Sequence, residues 1–351
     1  MGIKNLSVFL RQRFPEIFEE IHISEYQYKK IAIDISLYLC NYKAAFGDGW
    51  LGAFVKLVST LRANEVHCVF VYDGKAPPDK EDERKERMES RAKMGDRIYM
   101  LREAIERYKE EGVIDPILTE FQEKRKIEHK SLMREGGINI RAIEMMVDKM
   151  EKQMFALTPE DFAATKELFR ILDVPYIEAV GEGEALCSDL CIQGKVDAVL
   201  SEDTDVLAYG APFFLTKMDT RNATCVRIDY RKLLELVGLS HSEFLDFCIM
   251  CKTDYNKNIP KIGCVNAYKY ILEYKTIEAI QENLGVDVTC LRHVRNRELF
   301  RDYVRYGGKI SYCGTPDFQK LQEFIFRRNL RIGVDSLRKS FMPPEIVVIE
   351  D

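Results

Sequence analysis

Seven carboxylate residues stand within or directly after apolar segments of this 351-residue chain, and their types suit the binding of a metal ion. They are Asp34, Asp73, Glu182, Glu184, Asp203, Asp205 and Asp254. A charged group at the end of a buried strand is unfavourable unless a partner neutralises it. Oxygen ligands alone favour hard divalent cations such as Mg²⁺ or Mn²⁺. The sequence therefore predicts a divalent-metal site without histidine or cysteine ligands.

Each carboxylate also has a simpler explanation when it is taken alone. Glu182 and Glu184 could favour the start of a helix through its dipole, an effect of about 0.3–1 kcal/mol. Asp203 could cap a helix, and Asp254 could be a turn residue. The full set favours metal binding, because separate carboxylate pairs after separate strands fit two-metal phosphoesterases, whose ions lie roughly 3.5–4 Å apart.

Other catalytic devices are missing from the sequence. None of the five histidines falls in the carboxylate clusters, and no Ser/His/Asp or Cys/His triad can be assembled. There is no GxxxxGK[ST] motif to support NTP hydrolysis. Cys248 and Cys251 are spaced as CxxC, but no second pair of ligands stands at zinc spacing, so we interpret them as core residues of a helix.

The elements that must position the carboxylates alternate between strand and helix. Strands are predicted at 29–35, 67–72, 175–180, 197–201 and 213–216, and helices at 36–46, 51–64, 158–172, 182–193, 233–237, 242–252 and 265–274. The alternation predicts an α/β fold with a mostly parallel central sheet flanked by helices. In such a sheet Asp34, Asp73 and Asp203 converge on the edge where α/β proteins bind ligands.

A charge-rich stretch interrupts this pattern between Asp73 and Glu182. The segment from Asp79 to Arg87 contains no apolar residue, and charge-rich helical sequence continues to Met150 without a strong apolar stripe. A solvated helical insertion is the simpler interpretation of such a run. Its position directly after a strand that carries a carboxylate favours a lid or arch over the site.

The composition limits the possible functions. A net charge of −5 and a pI near 5.8 argue against a protein that coats nucleic acid non-specifically, but they allow local basic patches. No apolar stretch approaches the roughly 20 residues that span a membrane. Ten cysteines without a signal peptide indicate a reducing, intracellular location, and a monomeric protein is expected.

Taken together, these motifs resemble those of the flap endonuclease family of structure-specific 5′ nucleases. The matching segments are Met1–Leu6, Ala32–Ser36, Val71–Pro78, Gly181–Ala185, Ser201–Asp205 and Asp254–Gly263, and a weaker likeness continues to residue 340. The resemblance implies a PIN-like nuclease domain from 1–78 and 156–228, a helical gateway or arch at 79–155, a helix–turn–helix region for duplex DNA at 229–340, and a tail at 341–351 that we expect to be extended or disordered.

The resemblance also implies roles for individual residues. Asp34, Asp73, Glu182 and Glu184 would hold one Mg²⁺ ion, and Asp203, Asp205 and Asp254 a second, with Mn²⁺ as a possible substitute. Lys80 and Arg87 are seven residues apart on one helix face and would stabilise the charge on the phosphate. Substrate contacts would come from Gly2, Lys4, Tyr38, Tyr42, Lys257, Lys261 and Gly263, and a K⁺ ion would bind at the helix–turn–helix.

The implied function is Mg²⁺-dependent cleavage of 5′-flapped or branched DNA, by endonuclease and 5′→3′ exonuclease action, in replication, repair or recombination. Two alternatives remain open. A 5′→3′ exoribonuclease shares the metal site, and residues 9–15 are similar to the start of that family. A catalytically silent nucleic-acid scaffold is the other, although such a protein would be expected to have lost ligands. If the protein is eukaryotic or viral, the expected location is the nucleus or a site of DNA replication, without a membrane.

Several features depart from the family pattern, and three of them concern the grip on substrate: Cys40, the turn at Lys261 and the long segment after Asp73. Cys40 stands where the family often has a base-stacking Tyr. The turn at Lys261–Cys264 lacks one glycine and the basic residues that usually follow it. The segment between Asp73 and Glu182 is longer than in flap endonucleases, and the tail lacks the peptide that binds a sliding clamp.

Overall fold

The computed structural model describes residues 2–125, 137–152 and 154–341, and these residues form two compact units. The first contains the described residues up to Lys80 and from Pro159 onward, so it includes the predicted helical region at 229–340. The second contains the described residues of Glu81–Thr158. Residues 342–351, which make up nearly all of the predicted tail, lie outside the described residues.

A seven-stranded sheet forms the centre of the first unit. Its strands are β1 (Glu19–His22), β2 (Lys30–Asp34), β3 (His67–Tyr72), β4 (Tyr176–Glu178), β5 (Ala198–Leu200), β6 (Phe213–Asp219) and β7 (Thr224–Asp229). They are ordered β1-β7-β6-β5-β2-β3-β4. The strands from β6 to β4 pair in parallel, and β7 pairs antiparallel with both β6 and β1. This confirms the predicted fold class, a mostly parallel sheet with flanking helices.

Helices make up most of the remaining described structure. They are α1 (Leu6–Arg13), α2 (Ile35–Phe46), α3 (Trp50–Ala63), α4 (Glu81–Glu111), α5 (Pro116–Lys124), α6 (Ile140–Lys152), α7 (Pro159–Ile171), α8 (Gly183–Ile192), α9 (Asp205–Tyr209), α10 (Tyr230–Val237), α11 (His241–Cys251), α12 (Cys264–Tyr274), α13 (Ile277–Leu284), α14 (His293–Arg301), α15 (Phe318–Arg327) and α16 (Val334–Phe341). Short 3₁₀ turns lie at Pro15–Ile17, Ile23–Tyr26, Gly47–Gly49, Pro78–Lys80 and Thr289–Leu291. None of the described helices is both long and apolar enough to cross a membrane.

The three strands at the centre of the sheet are buried on both faces. Ile31–Ile33 in β2, Val69–Val71 in β3 and Ala198–Leu200 in β5 have no exposed surface. Continuous apolar runs of this kind are typical of parallel strands that helices cover on both sides. Because the three strands are parallel, the residues that follow their carboxyl ends lie at one edge of the sheet.

Two strands were not predicted from the sequence. Only Ile21 is buried among the four residues of β1, and β7 buries Cys225 and Ile228 three residues apart. Neither strand has an apolar run or a strict alternation, because both lie in the antiparallel part at one end of the sheet, where fewer side chains contact the core.

The charge-rich second unit has a small apolar core of its own. Its buried residues come from the second half of α4, from α5, from α6 and from the segment before α6; they are Ile98, Leu101, Ala104, Ile105, Leu118, Phe121, Ile138, Ile143, Val147 and Met150. The expectation that this stretch lacks a core-forming apolar stripe was therefore wrong for its later part. Apolar residues recur at helical spacing there, but the charged residues between them obscured the pattern.

Candidate active site

Asp34 ends β2, Asp73 directly follows the neighbouring strand β3, and the segments around them hold both carboxylates in place. Asp34 caps α2, since its Oδ1 accepts a hydrogen bond from the amide of Ser36 at 3.1 Å. The Ser36 hydroxyl donates to Asp73. Ser201, directly after β5, donates its hydroxyl to Asp34 Oδ2 at 3.2 Å. Three strand ends are therefore joined through these two carboxylates.

The start of α8 approaches the same two carboxylates, and a glycine makes this approach possible. The amide of Gly183 donates to Asp73 Oδ1 at 2.7 Å. A Cβ at Gly183 would lie 3.0 Å from Asp73 Oδ1, which is tighter than most Cβ contacts, and 3.5 Å from Asp34 Oδ1, which is an ordinary contact. Glu182 is the N-cap residue of α8 and Glu184 lies in its first turn. The glycine thus brings both glutamates to the strand ends.

Asp203 and Asp205 follow β5 and are almost completely buried. Asp203 Oδ1 accepts a hydrogen bond from the Asp205 amide at 2.9 Å, but Asp203 is not the helix cap considered above, because the N-cap residue of α9 is Thr204. Asp205 Oδ1 is different, because it is buried without a hydrogen-bond partner among the described residues. A buried carboxylate oxygen without a partner is unfavourable and is suited to a cation.

Lys80 joins the glutamates of α8 to Asp254. Its Nζ lies 2.6 Å from Glu182 Oε1 and 3.2 Å from Asp254 Oδ2. Burial lowers the pKa of Lys80, but the charges of Glu182, Glu184 and Asp254 outweigh it, so the pKa is raised overall. Lys80 therefore stays a charged ammonium group within the cluster.

Burial and mutual repulsion make the carboxylates difficult to ionise together. Burial, followed by the charge of Asp73, raises the pKa of Asp34 to about 8. Burial also raises the pKa of Glu184, with further contributions from Asp34 and Asp203. The pKa of Asp205 is raised by burial and then by Asp203. A cluster of this kind requires positive charge if it is to be ionised at neutral pH.

The donors present fit a hard divalent cation. No three carboxylates, imidazoles or thiolates in the described ranges already stand in an arrangement that would hold a metal ion. The ammonium group of Lys80 lies between Glu182 and Asp254 and is the cation there. The donors are all carboxylate oxygens, and one oxygen of Asp205 lacks a partner, which is the chemistry that Mg²⁺ and Mn²⁺ prefer.

Sequence reasoning missed the hydroxyl groups that orient these carboxylates. The Tyr255 hydroxyl donates to Glu182, lies 3.4 Å from the Tyr209 hydroxyl, and its ring lies 5.3 Å from Lys80 Nζ. The hydroxyls of Ser36 and Ser201 act in the same way on other carboxylates. Each except Tyr209 stands within two residues of a predicted ligand in the sequence, and that proximity is a signal which could have found them.

Of the residues predicted to contact substrate, one lies at the carboxylate cluster and several others are exposed on the surface. Gly2 has a positive φ of 82°, and a Cβ there would overlap Asp203 Oδ1, so the first residues reach the carboxylate cluster. Lys4 is exposed, and its amide donates to the carbonyl oxygen of Lys252 at 3.0 Å. Lys257, Lys261 and Gly263 are exposed on the loop between α11 and α12, and Gly263 is the N-cap residue of α12.

The remaining predicted contacts are less favourably placed or lie elsewhere. Tyr38 is buried, with its ring 5.6 Å from that of Tyr42, so it offers little surface for stacking. Tyr42 is partly exposed. Arg87 belongs to the second unit, where it pairs with Glu83 within α4.

A cavity of about 310 Å³ opens beside Glu182 and Tyr255. Lys75 and Arg305 contribute cationic side chains to its lining, and Tyr303 contributes an aromatic ring. Cations and aromatic rings are the groups that bind phosphates and bases, so this lining is compatible with a nucleotide.

Comparison with known proteins agrees with this geometry. The XPG N-terminal domain model matches residues 1–94, and the XPG I-region model matches residues 173–254. The probable RAD2-like endonuclease 076L of Invertebrate iridescent virus 3 is 35% identical over 347 residues, which cover 90% of each chain. The chain belongs to the XPG family of RAD2-like nucleases. This confirms the resemblance found in the sequence.

Further relatives of this XPG-family nuclease lead to the same assignment. Flap endonuclease 1-A of Sorghum bicolor is 30% identical over 305 residues, covering 82% of this chain and 70% of that protein. The catalytic core of Rad2 in complex with DNA substrate has a TM-score of 0.67 at 16% identity, covering 97% and 99% of the two chains, and shows the shared fold. The protein is thus a nuclease that hydrolyses phosphodiester bonds, and nucleases of this family depend on divalent metal ions.

Proposed function

We propose that this XPG-family nuclease is a Mg²⁺-dependent, structure-specific 5′ nuclease. It cleaves 5′-flapped or branched DNA as an endonuclease and degrades 5′ ends as an exonuclease, in replication, repair or recombination. One observation carries the proposal: the candidate carboxylates and the Lys80 ammonium lie near the carboxyl ends of the parallel strands, and among the described residues a buried oxygen of Asp205 has no hydrogen-bond partner.

The carboxylates divide into two sets that would each hold one ion. Asp34, Asp73, Glu182 and Glu184 form the first set, and Asp203, Asp205 and Asp254 form the second. The hydrogen bonds that Ser36 makes to both Asp34 and Asp73 support the first set. The bond between Asp203 and the Asp205 amide supports the second. When bound, the ions would supply Lewis acidity and an activated water molecule.

The charged side chains near the carboxylates would act on the phosphate. Lys80 keeps its charge because the neighbouring carboxylates raise its pKa by more than burial lowers it. Once ions neutralise Glu182 and Asp254, its ammonium group would be available to the scissile phosphate. The family resemblance implies a second positive charge on the phosphate from Arg87. With Met1 removed, Gly2 would place a free amine beside Asp203.

Duplex DNA would be held by the helix–turn–helix of α11 and α12. Lys257 and Lys261 are exposed on its loop, and nothing lies within 4 Å of a Cβ at Gly263, so the start of α12 is open to a phosphate. A K⁺ ion at this loop is part of the proposal. Specificity would come from the shape of the DNA and from phosphate contacts rather than from base reading.

A cleavage panel tests the proposed substrate. We would incubate the protein and Mg²⁺ with labelled 5′-flap DNA, nicked duplex, four-way junction, blunt duplex and 5′-phosphorylated RNA, and repeat each reaction with EDTA. The account predicts Mg²⁺-dependent release of the flap at a rate well above cleavage of blunt duplex. Preferred degradation of RNA would instead identify an exoribonuclease, and tight flap binding without cleavage would identify a silent scaffold.

A further inference from the structure

Two cysteine thiols that the nuclease chemistry does not use are in contact with each other. Cys68 lies in β3, and Cys313 lies 245 residues later, in the segment before α15. The Cys68 amide donates to Cys313 Sγ at 3.3 Å, and the Cys313 thiol donates to the carbonyl oxygen of Cys68 at 3.3 Å. Both side chains are buried, and both thiols are free.

The segment that carries Cys313 is fixed against the first unit on both sides of the thiol. The amide of Gly314 donates to the carbonyl oxygen of Asp173 at 2.8 Å. On the other side, Lys30 Nζ donates to the carbonyl oxygen of Ile310 at 2.7 Å. Cys313 Sγ is therefore held against Cys68, and a disulfide bond requires such close approach of the two residues.

A cationic and polar environment makes Cys313 the more reactive of the two thiols. His67 Nδ1 accepts a hydrogen bond from the Cys313 amide at 3.0 Å, and Arg62 Nη1 lies 3.0 Å from the same nitrogen. The hydrogen bond from Cys68 lowers the pKa of Cys313 to about 5 against the effect of burial, with help from His67 and Arg62. The same bond raises the pKa of Cys68. Cys313 is thus the thiol of the pair that ionises more easily.

We propose that Cys313 and Cys68 form a peroxide-reactive dithiol that closes to a reversible disulfide. The Cys313 thiolate attacks one oxygen of hydrogen peroxide, the O–O bond breaks, and hydroxide leaves with a solvent proton as water. This gives a sulfenic acid on Cys313. Cys68 Sγ then attacks that sulfur, the S–O bond breaks, and the Cys68 proton leaves with the hydroxide as a second water. Two thiols are oxidised and one peroxide is reduced.

The position of the pair separates this chemistry from the nuclease site. Cys68 is the second residue of β3, and Asp73 follows the opposite end of that strand. A disulfide here would join the segment before α15 to the sheet without altering the carboxylates. We therefore expect oxidation to raise the midpoint of thermal unfolding and to leave nuclease turnover unchanged.

Cys290 provides a matched control, because it is more exposed than Cys313 but burial raises its pKa. If exposure alone governed the reaction, Cys290 would react before Cys313. A second pair, Cys251 and Cys264, is also in contact, but no histidine or arginine contributes to lowering the pKa of Cys264. These three cysteines are the internal competitors for Cys313.

The test titrates the reduced full-length protein with hydrogen peroxide, blocks free thiols with an alkylating agent and maps peptides by mass spectrometry. We expect a Cys68–Cys313 cross-link at lower peroxide than any change at Cys290, and its reversal by dithiothreitol. Cys313→Ser should abolish the cross-link, Cys290→Ser should preserve it, and Cys68→Ser should leave a dimedone-reactive sulfenic acid on Cys313.

Three results would overturn the proposal. Oxidation of Cys290 while Cys313 stays reduced would show that exposure governs the reaction. A cross-link between Cys251 and Cys264 without one at Cys313 would assign the dithiol elsewhere. Sulfenic acid that accumulates on Cys313 of the wild-type protein would show that Cys68 does not resolve it. The wild-type measurements are decisive even if a variant fails to fold.

Discussion

Three of the candidate ligands, Asp34, Asp73 and Glu182, accept hydrogen bonds from hydroxyl groups that the carboxylate pattern alone does not reveal. The apolar runs before Asp34, Asp73 and Asp203 were sufficient to predict that these carboxylates share one sheet edge. The hydroxyl of Tyr255 was not predicted to act on Glu182, because that contact joins residues 73 apart in the chain. Sequence patterns predict where a carboxylate lies, whereas its hydrogen-bond partners depend on which distant segments of the chain the fold brings next to it.

Tyr255→Phe should weaken metal binding, because it removes the hydroxyl that orients Glu182. Loss of such a supporting group typically costs about 10–100-fold in metal affinity or activity. Isothermal titration with Mn²⁺ measures the affinity directly. Tyr28→Phe is a matched control, since Tyr28 is 65% exposed and remote from the cluster. An unchanged Mn²⁺ affinity in Tyr255→Phe would show that the hydroxyl has no role in positioning Glu182.

At the scale of elements, the candidate site forms where the carboxyl ends of β2, β3 and β5 lie close to the start of α8. Burial on both faces made β2, β3 and β5 predictable, since it requires continuous apolar runs. Strands β1 and β7 lack that constraint and were missed. The close approach of α8 depends on Gly183, whose role follows from contacts with Asp73 and Asp34 that spacing in the sequence does not show.

Gly183→Ala should push the start of α8 away from the strand ends and weaken metal binding. Its new Cβ would lie 3.0 Å from Asp73 Oδ1, so either the helix or the carboxylate must move. The measurement is the rise in unfolding midpoint on addition of Mg²⁺, which should be smaller than in the wild type. Gly307→Ala is the control, since nothing lies within 4 Å of a Cβ there. An equal rise in both variants would contradict the proposed role of this approach.

For the whole molecule, a buried acidic cluster couples stability to both pH and metal. The resemblance to a known family anticipated the fold and the helical insertion, but the core of the insertion was hidden among charged residues. The cluster adds a property that the sequence does not show, because the effect depends on how deeply each carboxylate is buried. In the folded, metal-free protein, burial raises the pKa of Asp34 from 3.8 to about 8.

The metal-free protein should lose stability as the pH rises from about 4 to about 8. Since the pKa of Asp34 is higher in the folded state, folding favours the protonated form, and this stabilisation is lost as the pH rises through the folded pKa. Mg²⁺ should therefore raise the unfolding midpoint most near pH 8. Scanning calorimetry in EDTA and in Mg²⁺ measures both effects. Asp34→Asn should reduce both the loss of stability with pH and the rise in unfolding midpoint with Mg²⁺. A pH dependence of stability equal to that of the wild type would show that Asp34 is not its source.

The central claim is that the carboxylates at the sheet edge carry out phosphodiester cleavage, and Asp205 tests it most directly. The measurement is single-turnover cleavage of a labelled 5′-flap DNA in Mg²⁺ by the wild type and by Asp205→Asn, with flap binding measured in parallel. The account predicts a rate at least about 100-fold lower in the variant, with binding retained. Cleavage by Asp205→Asn at the wild-type rate would contradict it.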